Sequence, residues 1–403
     1  MRAKLPQAST GIWFLVGVVS TLVATRMLSG TPTADDVDTA SEVVRATPAA
    51  LPAAWSLPTP VIPEPAPQPV AEAPVAPEQT CGFSEAGLAA DQPYGLHHLP
   101  PGVRSQALDA LEARMLSHAD AQVRAAGLLI GARARGGSPP RVDQLARLAS
   151  VSQDPVVYAI ALEGCRDRQG TEAAACSLLS RTQWVRLDAD NAQPWLELAA
   201  EAREWRDAEG EAEAMRRAAR ARRSDGHPGL LPALVDRALD PGTPALQRTL
   251  AVSASWMLQA AWTSPHTSQA HAYCMSDLGA DAERRSLCHA LAETLAWHGT
   301  SVADLSVGLA IGAAVGWPAS RLQSLQREHD ALSEAAFTPL IGADLGCEAI
   351  DRLQAWTREV GRHGELQAMR QVLARSGRSI DDWSAQHRRN YTLAAETVET
   401  ATR

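Results

Sequence analysis

The chain has 403 residues, 45% of them apolar, which is enough for a folded core. Aromatics are only 4%, eleven Trp against four Tyr and three Phe, so that core must rest on Ala, Leu and Val. A net charge of −9 argues against a nucleic-acid binder, which needs a basic face to neutralise phosphates. The abundance of Ala and Arg against a single lysine, Lys4, reads as the coding bias of a GC-rich bacterium.

The chain opens with an address. Arg2 and Lys4 precede an apolar run, Gly11–Ala24, and no charge falls between Lys4 and Arg26. Fourteen residues are short of the roughly 20 a helical span takes. The uncharged flanks extend the run, giving a transmembrane helix over about residues 9–25 in a signal anchor over residues 1–30. A cleaved signal peptide is the rival reading. Cleavage after Ala24 would put Leu22 at a position that favours small residues, so the uncleaved anchor is preferred. The basic residues before the run, and Asp35, Asp36 and Asp38 after it, keep the N-terminus in the cytoplasm and send the rest outward. In a bacterium with two membranes, that is a single-pass inner-membrane protein with its main domain in the periplasm.

Residues 31–80 show no helix or strand period and read as a disordered linker. Ten prolines lie between Pro48 and Pro77. Each fixes φ and lacks an amide donor, which excludes helices and central strands. As polyproline II, thirty such residues reach about 90 Å. A passive tether is preferred to a Pro-rich docking ligand.

From Cys81 to Arg403 the pattern is that of one all-helical extracytoplasmic domain. Leu108, Leu111 and Met115 share one face, as do Leu322, Leu325 and Leu332, and Ile350, Leu353, Trp356 and Val360. No stretch alternates with period two, so no sheet is expected. Asp154-Pro155, Thr243-Pro244 and Ser264-Pro265 read as an N-cap followed by Pro at the first helical position, and Trp317-Pro318 as another start. Gly170, Gly210, Gly279 and Gly361 are expected in turns. About fifteen helices joined by short loops imply antiparallel hairpins in a repeat-like, solenoid-type stack.

The segment Leu187–Arg222 resembles a tetratricopeptide repeat. Trp195, Leu198, Ala199 and Ala202 fall at its first-helix packing positions, and Met215 and Ala218 at second-helix ones. The lead-in LDADN resembles the junction between repeats, and a helix over Thr171–Leu187 would be half of an earlier copy. The resemblance implies a stacked helix pair with a surface that binds a protein or peptide.

Six cysteines in an exported chain read as a disulfide framework. Cys165 and Cys176 flank one turn and Cys274 and Cys288 another, placing each pair across a helical hairpin. Cys81 and Cys347 pair by elimination, with a bond between two tethered copies through Cys81 as the rival. A zinc site from His271, Cys274, Cys288 and His289 is disfavoured, because adjacent Cys288 and His289 diverge by about 100° on a helix. No metal or cofactor is assigned.

No hydrolase elbow, zinc-protease motif, phosphate loop or dinucleotide fingerprint occurs. His97-His98 sit in a Pro/Gly-rich loop, and His266 and His271 do not share a face. Glu209, Glu211 and Glu213 lie at ion-pair spacing from Arg216, Arg217 and Arg220. Arg222 and Arg223 extend that basic cluster, read as a solvated face rather than a contact for anionic headgroups. Gly308, Gly312 and Gly316 form a stripe within an uncharged run between Asp304 and Arg321. The stripe is expected to let two backbones approach in a buried central helix, the rivals being a membrane-inserting helix or a partner-docking helix. The reading is a tethered, non-catalytic scaffold, with an exported helical enzyme as the alternative.

Overall fold

Helix-capping residues cut the chain into sixteen α-helices among the described residues. The computed structural model describes residues 80–87, 99–134, 138–166, 170–262, 265–276, 281–337 and 346–401. The anchor, the linker up to residue 79, His97-His98, Ser264 and Gly279 lie outside them. The helices are α1 (Pro101–Leu116), α2 (Ala121–Ala134), α3 (Pro139–Ser150), α4 (Pro155–Cys165), α5 (Arg181–Leu187), α6 (Ala192–Glu204), α7 (Ala208–Ala219) and α8 (Leu230–Ala238). They continue as α9 (Ala245–Ala261), α10 (Pro265–Met275), α11 (Ala282–His298), α12 (Val302–Ala314), α13 (Ala319–Phe337), α14 (Cys347–His363), α15 (Glu365–Ser376) and α16 (Ile380–Ala401). Short 3₁₀ segments occupy Ser84–Ala86 and Gly170–Leu178. The all-α expectation holds: among the described residues only two isolated β-bridges occur. No helix there is long and apolar enough to cross a membrane.

Caps explain most of the boundaries. Asp154 accepts from the Val156 amide (2.8 Å), Asp207 from Gly210 (2.9 Å), Asp281 from Arg284 (3.0 Å) and Ser301 from Asp304 (3.1 Å). Each bond satisfies an amide the first turn leaves unpaired. The Thr243-Pro244 start is displaced by one residue, because Pro244 itself is the cap and offers no side-chain acceptor. The Glu85 carboxylate instead reaches across from the 3₁₀ turn and accepts from the Ala245 and Leu246 amides, both at 3.1 Å. Gly210 and Gly361 are inside helices rather than in turns. Gly361 is where α14 meets α8: an added Cβ would lie 2.8 Å from that of Ala233.

Two apolar cores divide the molecule. One is built by α1–α5 with α8 and the buried side of α9, centred on Met115, Leu129, Leu145, Ile160 and Leu234. The other is built by α6, α7 and α10–α16, centred on Leu196, Met215, Leu291, Leu295, Leu305 and Leu332. A ladder of backbone bonds runs along residues 190–192, 222–225, 298–300 and 364–366. Ala192 N donates to Arg223 O (2.8 Å), Ser224 N to His298 O (2.7 Å), Thr300 N to Ser224 O (2.9 Å) and Leu366 N to Thr300 O (3.1 Å). This ladder ties four helix junctions side by side and buries their polar residues together.

All six cysteines are joined within the chain: Cys165–Cys176, Cys274–Cys288 and Cys81–Cys347, with Cα–Cα distances of 5.8, 5.6 and 4.5 Å. These are the pairs expected from the turns and by elimination. The first two staple α4 to the following 3₁₀ segment and α10 to α11. The third ties the start of the described domain to the first residue of α14.

The glycine stripe divides into three separate roles instead of one close approach. At Gly308 an added Cβ would meet the α11 backbone, 2.8 Å from Ala296 N, so here two helices do approach closely. At Gly312 it would lie 2.4 Å from the Trp317 indole, which folds back over the glycine. Gly316 lies beyond the helix at φ +85°, with nothing near its missing Cβ, and ends the segment. One face of α12 is buried, while Ala313 and Ala314 are exposed.

Candidate functional site

The ladder brings together a set of buried polar side chains from four helix junctions. Asn191 caps α6 by accepting from the Gln193 amide (3.2 Å) and from the Asp225 amide (2.9 Å). Its amide nitrogen donates to Asp188 (2.8 Å) and to the Asp225 carbonyl (3.0 Å). Gln193 donates to Ser224 Oγ (2.7 Å) and to Asp304 Oδ1 (3.0 Å). Ser224 Oγ donates to the same oxygen at 3.3 Å, and Ser301 Oγ lies 2.9 Å from Asp304 Oδ2. Burial pushes the Asp304 carboxyl up to about 7, its hydrogen bonds only partly opposing. Glu365, which accepts from the Val302 amide at 3.0 Å, is raised for the same reason.

Asp225 behaves oppositely. Burial works against its charge, but His227 and the Thr300 hydroxyl (3.0 Å) more than offset that and hold it well below the usual carboxylate range. The segment Ser224–Gly229 turns sharply here. Asp225 Oδ1 accepts from the His227 amide (2.9 Å), and its Oδ2 is 3.4 Å from His227 Nδ1. His227 adopts φ +57°, in the left-handed region, which is uncommon for residues with a side chain but in which Asn, Asp and His are enriched. Its side chain is nine-tenths buried, and Nε2 has no hydrogen-bond partner.

His227 lines a cavity of about 410 Å³ between α4, the 3₁₀ segment, α5, α6 and the end of α9. Arg166, Arg181, Glu197, Trp184, Trp262 and the Cys165–Cys176 disulfide contribute to the same wall. Glu197 bridges the two arginines, at 3.2 Å to Arg166 and 3.0 Å to Arg181. Arg166 also pairs with Glu163 (2.9 Å) and Arg181 with Glu201 (3.1 Å). Burial opposes the Arg181 charge, but its two carboxylates raise its pKa above the ordinary value. The result is a charge-balanced strip beside Trp262, with His227 Nε2 enclosed by protein and without a hydrogen-bond partner.

The sequence singled out none of these cleft residues except the two cysteines. The repeat-like positions lie elsewhere and with a shifted register. Ala192, Leu196 and Ala199 form the buried stripe of α6, while Trp195, Leu198 and Ala202 are half-buried at its margin. Trp195 is drawn to that margin because its indole N–H donates to the Ala189 carbonyl (2.9 Å). Met215 and Ala218 are buried in α7, as expected. The half-repeat over Thr171–Leu187 is not one helix: a 3₁₀ segment ends at Leu178 and Ser180 caps a separate α5.

The zinc ligands proposed as a rival are spent, since Cys274 and Cys288 are bonded to each other. Glu213 forms ion pairs with Arg216 (2.9 Å) and Arg217 (2.8 Å), and Asp190 and Asp188 pair with Arg222 and Arg223. A second polar cluster joins α13 to α16, where buried Asp330 and Glu334 accept from Ser384 (3.0 Å) and Gln386 (2.9 Å). Gln326 donates to Asp330 (2.7 Å) and His329 lies 3.6 Å from it, and both line a second cavity of about 550 Å³ beside α10, α12 and α13. No family model, curated protein or solved structure matches this chain.

Proposed function

We propose that the chain is a periplasmic helical binding module, tethered to the bacterial inner membrane by its N-terminal segment, that holds a protein or peptide partner. The observation that carries this reading is the pairing of all six cysteines inside the chain. Structural disulfides persist in oxidising compartments and are rare in the cytosol. The apolar run Gly11–Ala24 and the proline segment supply the export device and the reach that such a module needs. The paired helices α6 and α7, with their likeness to a tetratricopeptide hairpin, support a protein-binding role. A reporter fused after Arg403 tests the export step: activity outside the cytosol supports the reading, and activity in the cytosol alone contradicts it. Crosslinking in the intact envelope then identifies the partner.

An exported enzyme is the second reading, favoured by one observation. Asp225 and His227 form a carboxylate–imidazole pair, and His227 is part of the wall of a cleft. A carboxylate that orients an imidazole is the form of a general base, although Nε2 is enclosed here and a substrate would reach it only if the wall moved.

A further inference from the structure

We propose that Cys165–Cys176 is a thiol–disulfide exchange site, which a dithiol reductant opens to release one wall of the adjoining cleft. This goes beyond the tethered-module reading. It needs the bond to have formed, and depends neither on the tether nor on the partner that the module holds.

Exchange requires a thiolate to reach one sulfur and the other sulfur to leave as a thiolate. An enclosed sulfur meets neither need, because nothing can approach it and burial opposes the charge. The three bonds differ on this point. Cys274 and Cys288 are both fully enclosed in the core that α6, α7 and α10–α16 build. Cys81 is fully enclosed and Cys347 only partly, so attack at Cys347 would have to expel a buried thiolate. Cys165 and Cys176 are both part-exposed, and both line the cavity of about 410 Å³. Exposed disulfides are the labile ones, and enclosed ones are structural.

The step balances with a dithiol as the reductant. Its first thiolate attacks one of the two sulfurs, the S–S bond breaks, and the other cysteine leaves as a thiolate. The second thiolate of the dithiol then attacks the mixed disulfide and expels the remaining cysteine. Two electrons pass to the protein. Cys165 and Cys176 end as thiols carrying the two protons of the dithiol, which ends as a disulfide.

The consequence follows from what the bond holds. It ties α4 to the 3₁₀ segment Gly170–Leu178. The Ala175 amide also anchors that segment by donating to Asp143 Oδ1 on α3 (2.9 Å), and the Ala175 side chain is buried. Just past its end the Ser180 amide donates to the Tyr158 hydroxyl (2.8 Å). Nine residues are a long run for a 3₁₀ helix, whose hydrogen bonds are poorly aligned. With the disulfide cut, that run rests on noncovalent anchors alone. Ala174, Cys176, Ser177 and Leu179 form one side of the cavity, so release of the segment takes that side away.

The test takes the full chain in detergent, first oxidised with glutathione disulfide so that the compartment in which it matures does not enter. Dithiothreitol is added without denaturant, and thiols are trapped with iodoacetamide at intervals and mapped by mass. Cys165 and Cys176 should be trapped at least about tenfold sooner than the other four cysteines. With this pair reduced, hydrogen exchange should rise about tenfold or more in peptides covering residues 170–181, stay unchanged in α3, and fall back on reoxidation. The double variant C165A/C176A should show the fast exchange without reductant; if it does not fold, the reduced parent decides alone. Reduction of another pair first, or of all six cysteines together, overturns the inference. So does exchange over residues 170–181 that is the same in oxidised and reduced protein, or a rise spread over the whole domain.

Discussion

Replacing Asp304 with Asn should turn a pH-dependent protein into a flatter one. The Asp304 carboxyl is fully enclosed, and folding pushes its pKa from the ordinary aspartate range up to about 7. A folded-state pKa above the unfolded one means that the native state holds the proton longer. Its contribution to stability is therefore complete below about pH 4 and is lost as pH rises through about 7. A rise of that size corresponds to at most about 4 kcal/mol between those limits. Asn reproduces the neutral acid, because its carbonyl oxygen accepts from Gln193 and Ser224 while its amide donates to Ser301 Oγ. Urea unfolding of parent and D304N should give similar stabilities near about pH 3 and a D304N advantage that grows to a few kcal/mol near about pH 8. Glu365 shares the sign of the effect and leaves a residual slope in both proteins. Asp225 has the opposite sign and acts only in acid, below the unfolded carboxylate range. A D304N protein that is less stable than the parent at the higher pH would refute the reasoning, because it would mean that the native network prefers the charged form.

Three further outcomes are expected. Removing the long-range clasp with the double variant C81A/C347A opens a loop of 266 residues, worth about 5 kcal/mol in the chain-entropy model. Thermal melts of oxidised protein should show the largest drop for this pair among the three disulfides. Gly312→Leu should unfold the domain, because even a Cβ there meets the Trp317 ring at 2.4 Å; circular dichroism of the variant checks this. Glu85→Ala should cost about 1–2 kcal/mol by uncapping α9 from a distance, measured by chemical denaturation, with no change in helix content.

What the sequence made legible was local. Asp154-Pro155 announces a helix start because the cap and the helix share a few residues. Cys165–Cys176 and Cys274–Cys288 announce themselves because each pair flanks one turn. Ile350, Leu353, Trp356 and Val360 are all buried, since one helix face met one core. What stayed hidden depends on residues far apart in the chain. The cap of α9 comes from Glu85, about 160 positions upstream. In α6 it is Ala192, Leu196 and Ala199 that enter the core, while Trp195 stays at its margin and bonds back to Ala189.

The candidate site was harder still to read. Its residues come from α4, α5, α6, α9 and the 225–229 turn, and no spacing rule joins them. Two signals were present. Ser301-x-x-Asp304 has the form of a capping box, and Ser224–Gly229 is a Pro/Gly turn around one histidine. Neither pattern reveals that the ladder buries the first, or that the second holds its imidazole against a cavity.

The central claim is that this domain matures outside the cytosol with its cysteines bonded to one another. The most direct measurement is alkylation and mass mapping of the full chain isolated from its own cells under thiol-trapping conditions. The account predicts no free thiol before reduction, six after it, and peptides linked as 81–347, 165–176 and 274–288. Six trapped thiols in the unreduced protein would contradict it.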